Sequence, residues 1–367
     1  MSWYAIDAAD RAVSRTREAL FEPFDFWKWV KLAIIIFLLG GAGSSYGNSS
    51  GYNMASEDLK DNFTLIEHGQ TPDLLFDMYD NAFSNIFPVG YMYPEPQLAI
   101  AVAIVILLLL LIFVFSYISS IMEFVFVESL VRNEVKFWAY SRRFLGKGFR
   151  LLLVRLAIGL VFLALFGISL LPLIPVIRET SSDFTWPTLL GGIFWIVGVI
   201  VVLFLLAVAI DSLLSLAIPL SIYRNKGILS AFKLVLGNFR KSWREILVYW
   251  FVRVVLGIGV TIIAVLLIGL MILVFGIAFL IFDTILYFLF LSLVSDPLNW
   301  ILLIPFIVAE LVFIFGAMFF LSVPIAVFMK YHLLSFLEAW YAGAEIPFFD
   351  IPVPESEAGI DEPEPPF

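Results

Sequence analysis

The sequence predicts an all-α polytopic membrane protein: six transmembrane helices joined by amphipathic interfacial elbow helices, with a three-fold internal repeat. Three observations point there. Hydrophobic residues make up 62% of the 367, and charged residues only 14%, against about 25% charged in a soluble domain. Runs such as Leu98–Ser116 and Leu189–Ile210 carry no charge, and each approaches or exceeds the roughly 20 apolar residues that cross a bilayer core. The basic residues gather in a few short segments between those runs. Unbroken apolar stretches of this length argue for helices, which satisfy their own backbone groups, and against the alternating strands of a barrel.

The chain opens on a helix. Trp3, Ile6, Val13, Leu20 and Phe24 recur at spacings that share one helical face, so residues 1–28 read as an amphipathic interfacial helix. The stretch lacks the apolar core of a signal peptide. The six-helix membrane domain then covers 29–343. Its first span, near Trp29–Gly43, is short and ends in Gly and Ser. Residues 44–97 form an acidic extracytoplasmic segment, with eight carboxylates against Lys60 alone. Further spans fall near 98–127, 151–176 and 189–222, from Ile246, and from Trp300 to Met329. Residues 344–367 read as a disordered, acidic, Pro-rich cytoplasmic tail. From Ile246 to Val294 only Arg253 and Asp283 interrupt the apolar run. We read it as one span followed by a short re-entrant or outer helix near 278–294, because a further span would carry the tail across the membrane.

Lys and Arg mark the cytoplasmic side. Twenty of the 22 basic residues lie in 1–31, 128–155 and 224–253 or at Lys330. Lys60 and Arg178 fall in connections assigned outside. Six spans with both termini cytoplasmic, in the cell membrane, satisfy this alternation.

The basic segments resemble one another. "SLVRNEVKFWAYSRRFLGKGFR" follows the second span and "SIYRNKGILSAFKLVLGNFRKSWR" the fourth. Arg132-Asn133 matches Arg224-Asn225, and Ala139-Tyr140 matches Ala231-Phe232. "VFMKYHLLSFLEAWY" begins a third elbow. In the second copy Lys226, Lys233, Arg240 and Arg244 share a face opposite Ile228, Phe232, Val235 and Phe239. Lys136, Arg143, Lys147 and Arg150 do the same in the first. An apolar face opposite a Lys/Arg face suits a helix lying among headgroups. These eight residues are the candidate face for anionic lipid of the inner leaflet, worth about 1 kcal/mol per basic residue; ordinary positive-inside bias accounts for the same pattern.

Ionisable residues inside spans are expensive and mark function or interhelical pairs. The candidates are Glu123, Glu128, Arg155, Asp211, Arg253 and Glu310. Counted from the inner ends, Glu123 with Arg155 and Asp211 with Arg253 are expected to pair at one depth. Glu310 sits midway along the last span with no obvious basic partner.

There is no cysteine and only His68 and His332, which the topology sets on opposite sides, so no His/Cys metal set is expected. No H-E-x-x-H, Walker A or G-x-S-x-G occurs. Asp73, Asp77 and Asp80, and the glycosylation-like Asn48 and Asn62 sites, read as features of a solvated outer segment.

The opening "AADRAVSRTREALFEPFDFWKWVKLAIIIFLLGG" and the repeated "RN" elbows resemble an uncharacterised family of archaeal multi-pass proteins. More distantly, they are similar to the membrane domain fused to some bacterial glycerophosphodiester phosphodiesterases. The likeness covers most of 1–343 as pattern. It implies a membrane module and carries over no catalytic residue, since no His-Arg-Gly or barrel is present. The expected role is therefore a non-enzymatic membrane scaffold or interaction module. No cofactor and no nucleic acid is expected; the expected partners are anionic inner-leaflet lipid and a protein partner or second copy. The alternative is a transporter or channel for an ion or small polar solute, using the intramembrane charges.

Overall fold

The computed structural model describes residues 4–40, 96–172, 186–294 and 298–350. These form eight α-helices: α1 (Tyr4–Leu20), α2 (Phe26–Leu38), α3 (Pro96–Val131), α4 (Phe137–Leu170), α5 (Trp186–Tyr223), α6 (Ile228–Lys241), α7 (Trp243–Leu293) and α8 (Leu298–Trp340). A short 3-10 turn, Ala342–Ala344, follows. No strand occurs among the described residues. Residues 41–95, with His68, Asp73, Asp77, Asp80, Asn48 and Asn62, lie outside them, as do Pro175, Arg178 and the residues from 351.

The chain divides into two compact units, Ser50–Tyr117 and the remainder. The described part of the first, 96–117, is the opening of α3. From Ile100 to Phe115 its large apolar side chains are exposed, as expected of a helix wetted by lipid rather than water.

In the larger unit the buried residues concentrate at one end of the long helices. They come from Ile121–Val131 of α3, Leu213–Ile222 of α5 and Val323–Leu337 of α8. Tyr331 donates to the Leu130 carbonyl at 2.9 Å, and Phe124 stacks on Phe144. α1 packs on α8 and α7, through a face that shares only Leu20 with the described part of the predicted stripe. Its buried residues are Ala5, Ala8, Ala12, Arg15, Thr16, Ala19 and Leu20. Ile6, Val13 and Phe24 are exposed. Small residues let two helices approach closely, which leaves the larger apolar side chains on the outer face.

Five helices, α3, α4, α5, α7 and α8, are long and apolar enough to cross a membrane. α2, over the expected first span, has 13 residues, about 20 Å of rise against a hydrocarbon core of about 30 Å. Asp25 caps it, accepting from the Trp27 and Lys28 amides.

The separate helix expected near 278–294 is not there. α7 runs unbroken for 51 residues, about 76 Å. The run holds no proline, and its glycines alone do not stop a helix whose neighbours support it. α8, with 43 residues, lies alongside. Phe275 meets Phe313 at 5.1 Å, Phe282 meets Phe306 at 6.2 Å and Tyr287 meets Trp300 at 5.1 Å. The descending partner numbers define an antiparallel aromatic seam, whose off-parallel pairs are favourable ring geometry.

The two "RN" elbows share one local device. Asn133 has φ 55° and Asn225 φ 46°, the left-handed conformation that ends a helix and that Asn tolerates better than most residues. Each Asn amide bonds back three residues, to Leu130 and to Ile222, and each preceding Arg amide bonds back four, to Glu128 and to Leu220. Beyond the turn the copies slip by one residue. The N-cap is Lys136 in one and Gly227 in the other. Burial follows that slip: Tyr140 and Phe144 correspond to Ala231 and Val235, so Tyr140 matches Ala231 and not Phe232. The copies also end differently. α4 continues from elbow into span without a break, whereas Ser242 separates α6 from α7. The expected third elbow is straight helix within α8, with Tyr331, His332, Leu333, Leu334, Phe336 and Leu337 all buried.

The tail boundary also moves. Ala344, Ile346 and Phe348 are buried, Arg15 stacks over the Phe348 ring at 3.5 Å, and its Nε donates to Asp350 at 2.7 Å. Residues 344–350 therefore belong to the packed unit.

Candidate functional site: an intramembrane charge cluster

Five helices each bring one charged group of the cluster to a common cleft of about 680 Å³: Glu123 from α3, Arg155 from α4, Asp211 from α5, Arg253 from α7 and Lys330 from α8. The rest of the lining is largely apolar, so burial of the charges is tolerable only if they compensate one another.

Glu123 is the hub. Arg155 Nη2 donates to its Oε2 at 2.6 Å, and Lys330 Nζ lies 3.7 Å from Oε1. The Glu123–Arg155 pair is the one the sequence predicts. The predicted Asp211–Arg253 pair does not form. Asp211 turns instead to Arg155, at 3.8 Å, and Arg253 donates to the Tyr249 hydroxyl at 2.7 Å. The reason is α8. It carries Lys330 into the cluster, where the sequence reading left it as the residue closing the last span. Lys330 and Arg155 together neutralise Glu123, and Arg155 reaches Asp211 from the other side. The missed signal was the one basic residue at the same distance from its helix end as Arg253.

Charge is not balanced at this level. Three cations face two carboxylates, and Arg155 Nε is buried without a hydrogen-bond partner. Arg253 has no carboxylate within ion-pair distance among the described residues. Ser212 and Trp250, joined by a 2.9 Å hydrogen bond, also line the cleft.

Glu128 lies apart from the cluster. It is fully buried and accepts from Arg132 at 2.6 Å, Arg143 at 3.1 Å and the Tyr223 hydroxyl at 3.1 Å. It ties the first elbow to α4 and α5, and its hydrogen bond and charge raise the Arg132 guanidinium above its ordinary range. Glu310 faces Asp283 across the α7–α8 hairpin, in a second cleft that shares no lining residue with the first. Its neighbour is thus another carboxyl, and among the described residues neither forms an ion pair.

The eight basic elbow residues divide. In the first elbow Arg143 is held by Glu128 and Lys147 donates to the Ser221 carbonyl at 2.8 Å. Lys136 pairs with Glu134 at 2.8 Å, which raises its ammonium above the usual lysine range; Arg150 is exposed. In the second, Lys226, Lys233, Arg240 and Arg244 are all exposed and none forms an ion pair among the described residues. The opposite face of α6 buries Ile228, Ala231 and Val235, while Phe232 and Phe239 of the predicted apolar face are half-buried.

No curated protein and no solved structure matches this chain. A family model, described as a family of unknown function, matches residues 3–346. That span takes in every described helix and the whole charge cluster, and the chain belongs to that family, DUF7544.

Proposed function

We propose that this protein is a non-enzymatic scaffold or interaction module of the cytoplasmic membrane, docked on its anionic inner surface by the second elbow. One observation carries the reading: Lys233 and Arg240 of α6, with Lys226 just before it and Arg244 at the start of α7, stand exposed and form no ion pair among the described residues, while the other side of α6 buries Ile228, Ala231 and Val235. Four such residues contribute about 1 kcal/mol each near an anionic surface. The mutual pairing of Glu123, Arg155 and Lys330 supports a structural role for most of the cluster. The pattern-level resemblance to membrane domains fused to phosphodiesterases fits a module that serves a partner.

Native mass spectrometry of the protein drawn from its own membranes in mild detergent tests this. A stoichiometric protein partner is expected. A chain that carries no protein partner and moves an ion or solute in proteoliposomes overturns the scaffold. That outcome would establish the alternative, a transporter or channel, which one observation favours: a cleft lined by five charged side chains from five helices.

A further inference from the structure

The cleft has features that pairing among its own charges leaves unused. Among the described residues it holds one more cation than carboxylates, a buried guanidinium nitrogen of Arg155 without an acceptor, and Arg253, which meets the Tyr249 hydroxyl and ring but no carboxylate within ion-pair distance. One wall is largely apolar: Leu205 and Val208 of α5 face the cleft, as do Val254, Ile258 and Ile262 of α7, all five are exposed, and the hydroxyl of Thr261 beside them is turned back to the Gly257 carbonyl. From Arg253 to Ile262 that wall rises about 14 Å along α7. Arg253 itself lies ten residues into a helix that starts at Trp243, about 15 Å from its end. Charge at one end and a greasy track at the other describe a receptor for an amphiphile.

We propose that this cleft binds a phospholipid of one net negative charge, its phosphate on Arg253 and Arg155 and an acyl chain along the α5/α7 wall. Guanidinium groups bind phosphate oxygens through paired, charge-assisted hydrogen bonds. A single negative charge balances the surplus cation. A free phosphate satisfies the arginines but leaves the apolar wall without a role. A zwitterionic lipid brings no net charge and leaves the surplus cation unbalanced. The site goes beyond the scaffold reading and is distinct from the second elbow: a lipid held here has its headgroup in a cleft to which five helices contribute charges, rather than lying on the basic face of α6.

The test is native mass spectrometry of the full-length protein with phosphatidylglycerol, phosphatidylcholine of the same chains, or inorganic phosphate added. One tightly retained phosphatidylglycerol per chain is expected, favoured at least about tenfold over phosphatidylcholine. Arg253→Gln should lower that retention about tenfold. Ile258→Trp, which fills the track and leaves every charge in place, should lower it as well. Arg142→Gln, which removes an exposed positive charge elsewhere, should leave it unchanged. Equal retention of the two lipids, retention of inorganic phosphate in their absence, or an equal loss in Arg142→Gln overturns the proposal. None of these results depends on whether a protein partner co-purifies, so this site and the scaffold reading fail separately.

Discussion

The two elbows begin alike and are used differently. Both end a long helix on an Arg-Asn pair, with the Asn in the left-handed region and the same backbone bonds behind it. The first is then drawn into the protein. Glu128 holds Arg132 and Arg143, Lys147 reaches across to α5, and α4 continues straight into its span. The second keeps Lys226, Lys233, Arg240 and Arg244 outward, while Arg224, the counterpart of Arg132, donates to the Gly343 carbonyl at 2.6 Å; its helix stops at Ser242, whose hydroxyl accepts from Trp340 at 2.8 Å. Position 128 explains much of this. A buried carboxylate gathers the nearby cations; its counterpart, Leu220, gathers none. The same turn chemistry thus yields a structural joint in one place and a free basic surface in the other.

The comparison breaks most sharply at Glu128. Glu128→Gln removes a charge that three donors share, and each such hydrogen bond is worth about 1.5–3 kcal/mol. A loss of about 3 kcal/mol is expected in thermal unfolding in detergent, while Leu220→Gln should not draw the second elbow's arginines inward. If Glu128→Gln melts like the parent, the carboxylate is not what separates the elbows.

Gly148 is the next test. A Cβ there would lie 2.5 Å from Ile121 Cγ1 and 3.0 Å from the Ile121 Cα, so α4 must shift away from α3. Overpacking of this kind costs about 1–3 kcal/mol, and Gly148→Ala should destabilise accordingly. Gly237, on the second elbow, has nothing within 4 Å of such a Cβ. Gly237→Ala should therefore stabilise, by about 0.5–1 kcal/mol from helix propensity. Equal effects at the two glycines would mean that the elbows pack alike.

The Asn pair separates turn from context. Asn→Ala at either position places an ordinary residue in the left-handed region, at about 1 kcal/mol. Asn→Gly removes that strain. Asn133 also accepts from Lys28 Nζ, so Asn133→Gly should still lose up to about 1 kcal/mol while Asn225→Gly is neutral or better. Denaturation of the four variants side by side reads both effects.

The smallest effect concerns lipid. In nanodiscs, amide exchange over 228–241 should slow severalfold when anionic lipid replaces zwitterionic lipid, and exchange over 137–150 should change less. An equal response would show that the first elbow's cations are as free as the second's.

Sequence alone determined the helical class, the apolar runs, the two elbows and the Glu123–Arg155 pair. These rest on local facts: run length, helical spacing, and the distance of a charge from its helix end. The buried face of α1 was missed because alanines, not the large apolar residues, allow close approach to α8. The unbroken α7 was missed because nothing in its own residues reports the aromatic seam with α8 that supports its far half. Tertiary structure decided how the other charges of the cluster meet. Arg155 and Arg253 are equivalent by sequence position, yet Arg155 reaches both Glu123 and Asp211, Arg253 meets the Tyr249 hydroxyl, and α8 brings Lys330 to Glu123. Which cation is left without a carboxylate is a property of that arrangement. Pairing in a low-dielectric interior depends on distances of a few ångströms between helices far apart in the chain, and those distances are set by packing.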